Sequence, residues 1–296
     1  MAAGKDCCVA GAMGIRYHPG PASKVTQSME TVATRDLWAQ IRKEVSDQLL
    51  SEPDMGSFFS RRILQHDSLE TAVADLLANK LACEDMPVGS MRSVIDAALR
   101  ADADIVEAMT ADLNATRQRD AAARYYSTAL LYFKGFQALQ GYRIAHWLWQ
   151  QERSGMALFL QSRISEVFQV DIHPAARIGK GILVDHATGI VIGETCVLDD
   201  NISIMQGVTL GGTGKETGDR HPKIGSGVLL STGAIVLGNV VIGEGARVAA
   251  GSVVLRDVEP HSTVAGIPAI KVGKPRDEQP ALEMTHEINP CEDEAG

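Results

Sequence analysis

From Ile172 onward small aliphatic residues return at every sixth position. One phase runs Ile172, Ile178, Val184, Ile190, and a second runs Ile192, Leu198, Ile204, Leu210. After an interruption a third holds through Ile224, Leu230, Val236, Ile242, Val248 and Val254. A helix repeats at about 3.6 residues and a strand at about 2, so neither accommodates six. A short strand plus a turn does, as one side of a prism repeated level upon level. Three sides of six make a coil of about 18 residues whose aliphatics stack inside a narrow column, with glycines such as Gly179, Gly193, Gly225 and Gly243 at the turns. Such a column has no room for rings. All 14 aromatic residues lie at or before Phe168; the 128 residues that follow contain none, and they hold 19 of the 28 glycines. The expected fold here is a left-handed parallel β-helix of hexapeptide repeats.

The first part of the chain reads as helical, which makes the whole an α+β protein. Thr34 or Asp36 is placed to cap a helix from Leu37, with Leu37, Ile41, Val45 and Leu49 on one face. Further helices are predicted over 68–81, 91–99, 103–109, 130–150 and 155–168, and Pro53 and Pro87 separate elements. The expected organisation is 1–30 without regular structure, 31–168 all-helical, 169–275 β-helix with an excursion loop over 211–223, and 276–296 a flexible acidic tail.

With 28 Lys and Arg against 37 Asp and Glu the net charge is −9, which argues against a nucleic-acid binder. Seven of those acids and no Lys or Arg lie between Asp277 and Gly296, so the body is near neutral. Five scattered cysteines (7, 8, 83, 196, 291) without a CxxC spacing suggest neither a zinc knuckle nor a disulfide scaffold. No apolar run of membrane-spanning length and no secretory leader pattern is read, so a cytoplasmic location is expected.

Some polar side chains stand out on the repeat. Asp171 and His186 are 15 residues apart, a little under one turn of the coil, and so are candidates for neighbours on adjacent levels. An Asp that fixes one ring nitrogen of His leaves the other to take a proton, a general base for a hydroxyl; a simple capping interaction is the alternative. His173, His186 and His221 form a conceivable zinc set, but none of their spacings is close, and no metal is expected. Cys196 occupies a slot for a small side chain and has no base partner, which speaks against a covalent acyl-enzyme. The segment from Gly211 to Lys223 is too polar to fill the prism and must leave it as a loop. Arg220 and His221 lie where the chain re-enters the rigid coil, a usual place to build a site. A GxxxxGK[ST] phosphate loop is absent, leaving scattered lysines such as Lys223, Lys271 or Lys274 for phosphate contact.

The stretches 168–194 (FQVDIHPAARIGKGILVDHATGIVIGE), 208–225 (VTLGGTGKETGDRHPKIG) and 264–275 (VAGIPAIKVGKP) resemble the serine O-acetyltransferases, as do 116–127 and 130–149 in the helical part. The resemblance spans roughly residues 35–275. It implies direct transfer of acetyl from acetyl-CoA to the L-serine hydroxyl, the first step of cysteine biosynthesis, with feedback inhibition by cysteine and no permanently bound cofactor. By the same resemblance His186 is the general base and Asp171 its orienting partner. Asp120 and Asp185 hold the substrate amine, Arg220 its carboxylate, and His221 is a second substrate-binding histidine. Gly211 and Gly212 are the candidates for oxyanion donors. The pantetheine arm would run past Thr232 and Ala250, with Lys223 and Lys271 as phosphate contacts. A trimer through the prism, with two trimers joined by the helical part into a hexamer, is also implied. Many relatives end in an isoleucine that enters O-acetylserine sulfhydrylase. Here Ile288 is followed by acids, so the sequence argues against a complex of the usual kind. A homoserine acetyltransferase, or one for another small hydroxylated acceptor, is the rival enzyme; a β-helix scaffold without activity is the rival of another class.

Overall fold

The computed structural model describes residues 33–214 and 217–286. The segment 1–30, expected to lack regular structure, lies outside these residues, as does the end of the acidic tail. Eight helices come first: α1 (Thr34–Ser51), the single turn α2 (Gly56–Phe59), α3 (Leu69–Leu81), α4 (Val88–Ala101), α5 (Ala103–Arg119), α6 (Tyr126–Tyr132), α7 (Lys134–Gln150) and α8 (Ser154–Phe168). No helix among the described residues is long and apolar enough to cross a membrane.

The apolar face read for α1 is buried at Leu37, Ile41 and Val45. The expected cap is not used. The helix starts at Thr34 after Ala33, and the Thr34 hydroxyl is engaged with that of Thr110 on α5, 2.9 Å away. Ser68 does cap α3, in a reciprocal arrangement with Thr71 that satisfies two orphan backbone donors. The helix expected over 130–150 is two, because Phe133 adopts an extended conformation between α6 and α7. Gln137 mends the break by donating from Nε2 to the carbonyls of Leu130 and Leu131. Gly135, in the first turn of α7, touches the coil so closely that a Cβ would lie 2.0 Å from the Val184 carbonyl oxygen.

Helix α5 runs ten residues past its expected end, and the reason is chemical. Its added turns bury polar groups beside Leu113 and Ala115: Asp112, Asn114, Thr116 and Arg119 are all buried. Asp112 Oδ2 accepts from Arg143 Nε (2.9 Å), Arg143 Nη2 (2.7 Å) and Gln140 Nε2 (3.0 Å), while Oδ1 accepts the Ile182 backbone N–H at 2.9 Å. Arg143 in turn donates to the Gly179 carbonyl at 2.7 Å. One buried ion pair thus ties α5 and α7 to the first level of the coil.

That coil begins at Val170. Its strands form three parallel faces: β1 (Val170–Ile172), β4 (Ile190–Ile192), β7 (Thr209–Gly211), β10 (Ile235–Leu237) and β13 (Val253–Val254) on face A; β2 (Arg177–Ile178), β5 (Val197–Leu198), β8 (Lys223–Ile224) and β11 (Val241–Ile242) on face B; β3 (Leu183–Val184), β6 (Ser203–Ile204), β9 (Leu229–Leu230), β12 (Arg247–Val248) and β14 (Thr263–Gly266) on face C. A last strand, β15 (Ala269–Gly273), turns back antiparallel to β14. The sixth-position aliphatics fill the interior, from Ile192 and Leu198 to Val248 and Val254. The third sequence phase follows the eighteen-residue register by which Leu229 pairs with Arg247 and Ile235 with Val253. The excursion adds eight, so that Val197 pairs with Lys223 and Thr209 with Ile235.

The acidic tail departs from expectation in its first part. Residues 280–283 form a short helix, α9 (Pro280–Glu283), laid on face C. The Ala281 N–H donates to the Gly227 carbonyl, Ser203 Oγ to the Ala281 carbonyl at 2.7 Å, and Arg247 Nη1 to the Thr285 carbonyl at 2.8 Å. The polar outward groups of face C, invisible to an apolar pattern, hold this segment.

Candidate active site

The first level of the coil is two residues longer than a regular one: Val170 pairs with Ile190 and Leu183 with Ser203. This is what the slip from Ile190 to Ile192 in the sequence phase means. The extra residues lie at the corner between faces C and A, where His186 and Ala187 both adopt left-handed backbone conformations (φ 54° and 64°). Residues other than glycine accept that region at some strain, which is found more often at functional sites than elsewhere. The corner lifts the His186 side chain, 73% exposed, clear of the prism. Lys134 at the start of α7 braces it by donating to Thr188 Oγ1 at 2.5 Å.

Asp185 sits beneath His186, with Oδ1 3.7 Å from His186 Nε2. Burial raises the Asp185 carboxyl above its ordinary value; His186 opposes this and the charge of Asp120 adds to it. Asp120, at the end of α5, is turned by accepting the Ala122 N–H at 2.8 Å. The docked tail brings His286 within electrostatic reach of the same carboxyl. Two carboxylates side by side with one desolvated form a place for a cation.

The corner between faces A and B carries a second cluster stacked over three levels: His173, then Glu194 and Thr195, then Arg220 and His221. Glu194 Oε2 accepts from Arg220 Nη2 at 2.6 Å, and this bond holds the Glu194 carboxyl below its usual range. Thr195 binds the backbone N–H groups of Arg220 and His221 and also the His221 ring. The ring packs against Gly193, where a Cβ would come within 2.2 Å of Nε2. Burial lowers the proton affinity of both His221 and His173.

The structure therefore brings His186, Asp185 and Asp120 together at one edge of face A, and Arg220 with His221 at the other. Asp171 faces outward from β1, and its Oδ1 accepts from Gln161 Nε2 on α8 at 2.7 Å rather than meeting His186 within the chain. The three histidines weighed as a zinc set are divided between the two edges. Gly211 ends β7, paired with Leu237, while Gly212 opens the excursion beside His221. Thr232 and Ala250 lie on the same corner as His186, two and three coils further along, joined through the Gly251 N–H to Thr232 carbonyl bond. Neither lysine named for phosphate contact is idle. Lys223 donates to the carbonyls of Thr195 and His221 and to Asp219, which clamps the excursion shut, and Lys271 pairs with Glu259. Cys196 is buried in the column and its thiol is pushed up to about 12, so it supplies no nucleophile at neutral pH. Sequence reasoning passed over Gln161, Glu194 and Thr195. The only signal for the last two was their place just after Gly193, at a corner, pointing outward.

A helical bundle joined to a three-sided parallel coil, with a histidine raised on a widened corner, defines a hexapeptide-repeat acyltransferase; residues 221–256 match the bacterial transferase hexapeptide family (six repeats). Residues 37–141 match the serine acetyltransferase N-terminal family. A serine acetyltransferase of Salmonella typhimurium is 51% identical over 253 residues, 86% of this chain and 93% of the relative. A solved serine acetyltransferase in complex with cysteine superposes with a TM-score of 0.85 at 49% identity, covering 87% of this chain and 100% of that one. Another, in complex with CoA, gives 0.78 at 50% identity, covering 81% and 100%. The chain belongs to the serine acetyltransferase family.

Proposed function

We propose that this protein transfers acetyl from acetyl-CoA directly to the L-serine hydroxyl, giving O-acetyl-L-serine and CoA. The observation that carries the reading is the division of charge between the two edges. A zwitterionic amino acid needs an anionic contact for its ammonium and a cationic one for its carboxylate before its side chain can be aimed. Asp120 and Asp185 supply the first; Arg220 supplies the second by turning its fork from Glu194 and the Gly218 carbonyl to the two carboxylate oxygens. His186 Nε2 takes the hydroxyl proton as the oxygen attacks the thioester carbon. The tetrahedral oxyanion collapses by breaking the carbon–sulfur bond, and the proton passes from His186 to the CoA sulfur. The pantetheine arm follows the C–A corner from His186 past Thr232 and Ala250. Asp171 takes part as the orienting carboxylate.

The width of face A separates the two clusters in one chain. Apposition of one protomer's C–A corner with its neighbour's A–B corner completes the site, which supports a trimer through the prism and a hexamer through the helical segment. Cysteine offers the same ammonium and carboxylate as serine, so it competes for the pocket. The test is thiol release from acetyl-CoA with L-serine, with L-homoserine and with no acceptor, alongside His186→Ala. Serine-dependent release that vanishes in the variant is expected. Release with homoserine alone would replace the acceptor, and silence with both would leave a scaffold.

A further inference from the structure

A neutral imidazole carries one ring proton, and the group that touches one nitrogen decides where that proton sits. At His221 the group is Thr195. Its backbone N–H lies 3.2 Å from Nδ1, and a backbone N–H only donates. Nδ1 is therefore an acceptor and the proton sits on Nε2. The Thr195 hydroxyl adds a second contact. Its oxygen accepts the backbone N–H groups of Arg220 and His221, each at 3.1 Å, which leaves its own proton to donate, and His221 Nδ1 is 2.9 Å away. Asp219, whose carboxyl is held low first by Lys223 and also by Thr195, competes for the hydroxyl proton but not for the N–H.

The surroundings agree. Burial and Arg220 disfavour a charged His221, with Lys223 and His173 acting the same way and Glu194 opposing them. His173 on the same edge is fixed in the same form, since the Ala175 N–H donates to its Nδ1 at 3.1 Å. His146 shows the reverse: its Nδ1 is 2.7 Å from the Pro174 carbonyl, which can only accept, so there the proton is on Nδ1. His221 Nε2 lies between Gly193 and Gly212, 2.2 and 3.7 Å from where Cβ atoms on them would stand, and makes no hydrogen bond to any described residue.

We propose that Thr195 is a positioning residue: by holding Nδ1 as an acceptor it makes His221 a hydrogen-bond donor through Nε2–H, aimed at an anionic oxygen of the reacting pair. That oxygen is either the amino-acid carboxylate or the oxyanion formed on the acetyl carbon. The inference rests on the acetyl-transfer reading and leaves the work of a base to His186, against whose ring no described backbone N–H is placed.

Nitrogen NMR of the full-length protein labelled with 15N-histidine, without substrates, reads the tautomer directly. His221 is expected with its proton on Nε2 at neutral pH. Thr195→Val keeps the backbone N–H on Nδ1 but removes the hydroxyl, so Nε2 stays the main site with a larger Nδ1-protonated fraction, which Thr195→Ser reverses. With serine and acetyl-CoA, Thr195→Val lowers kcat/KM about tenfold and Thr195→Ser restores it to within about twofold. His221→Gln places an amide donor near the Nε2 position without basicity and keeps about a tenth of the activity, whereas His221→Ala loses about a hundredfold or more. A loss carried by KM assigns the carboxylate, and one carried by kcat assigns the oxyanion. A proton found on Nδ1, or a Gln variant as inactive as Ala, overturns the proposal. Unmodified protein inert toward serine would instead overturn the acetyl-transfer reading, and the nitrogen spectrum would still decide the role of Thr195.

Discussion

Burial lifts the Asp185 carboxyl above its ordinary value of 3.8, His186 opposes the shift, and Asp120 reinforces it. A carboxyl raised in the fold holds its proton more tightly folded than unfolded. Its contribution to stability is present below 3.8 and is lost as pH rises through the raised value. At neutral pH the ionised group therefore burdens the fold and is suited to a cation that restores the balance. Asp185→Asn is expected to raise the melting temperature at pH 7, by a margin that narrows as pH falls toward the raised value. The same change should lower kcat/KM for serine at least about thirtyfold, since it removes one partner of a desolvated charge pair. In the unmodified protein kcat/KM for serine should fall as pH drops through the raised Asp185 value. A variant less stable at pH 7 than its parent would contradict this account.

Among the elements, α5 is tied to the coil through charge rather than through an apolar stripe. Asp112 is fully inaccessible and Arg143 nearly so; Asp112 accepts from Arg143 and from the Ile182 N–H of the coil, and Arg143 donates to Asp112 and to the Gly179 carbonyl. Removing one partner leaves a buried charge alone, so Asp112→Ala is expected to lose about 3–5 kcal/mol in urea unfolding. Asp112→Leu combined with Arg143→Met should recover more than half of that loss, because an apolar pair of similar volume escapes the desolvation penalty. A single-variant loss below about 1 kcal/mol would show the pair to be dispensable. The same element shows where reading by period stops. Up to Met109 the apolar residues of α5 mark a helix; beyond it Leu113 and Ala115 share the buried positions with Thr110, Asp112, Asn114, Thr116 and Arg119, a mixture that a hydrophobic period does not mark.

For the whole molecule, the separation of the two clusters predicts complementation. His186→Ala and Arg220→Ala are each expected to be inactive alone. If the proposed trimer forms, co-expression gives mixed assemblies in which about one site in four joins an intact His186 corner to an intact Arg220 corner, restoring about a quarter of the unmodified activity. Activity no greater than that of either variant alone would place the complete site within a single chain.

The six-residue period, the missing aromatics and the glycine turns determined the coil, because a prism side is a local rule that each repeat obeys by itself. The break from Leu210 to Ile224 likewise located the excursion, and the two-residue slip at Ile190 and Ile192 was legible as a number without a meaning. Only the tertiary structure turned that slip into the corner that raises His186. It also separated Asp171 from His186, engaged Lys223 and Lys271 elsewhere, laid the tail on face C, and set Thr195 against His221. Each of these depends on a polar group whose partner lies on another level or another element. A hydrogen bond has no period, so what it selects appears only once the chain has folded.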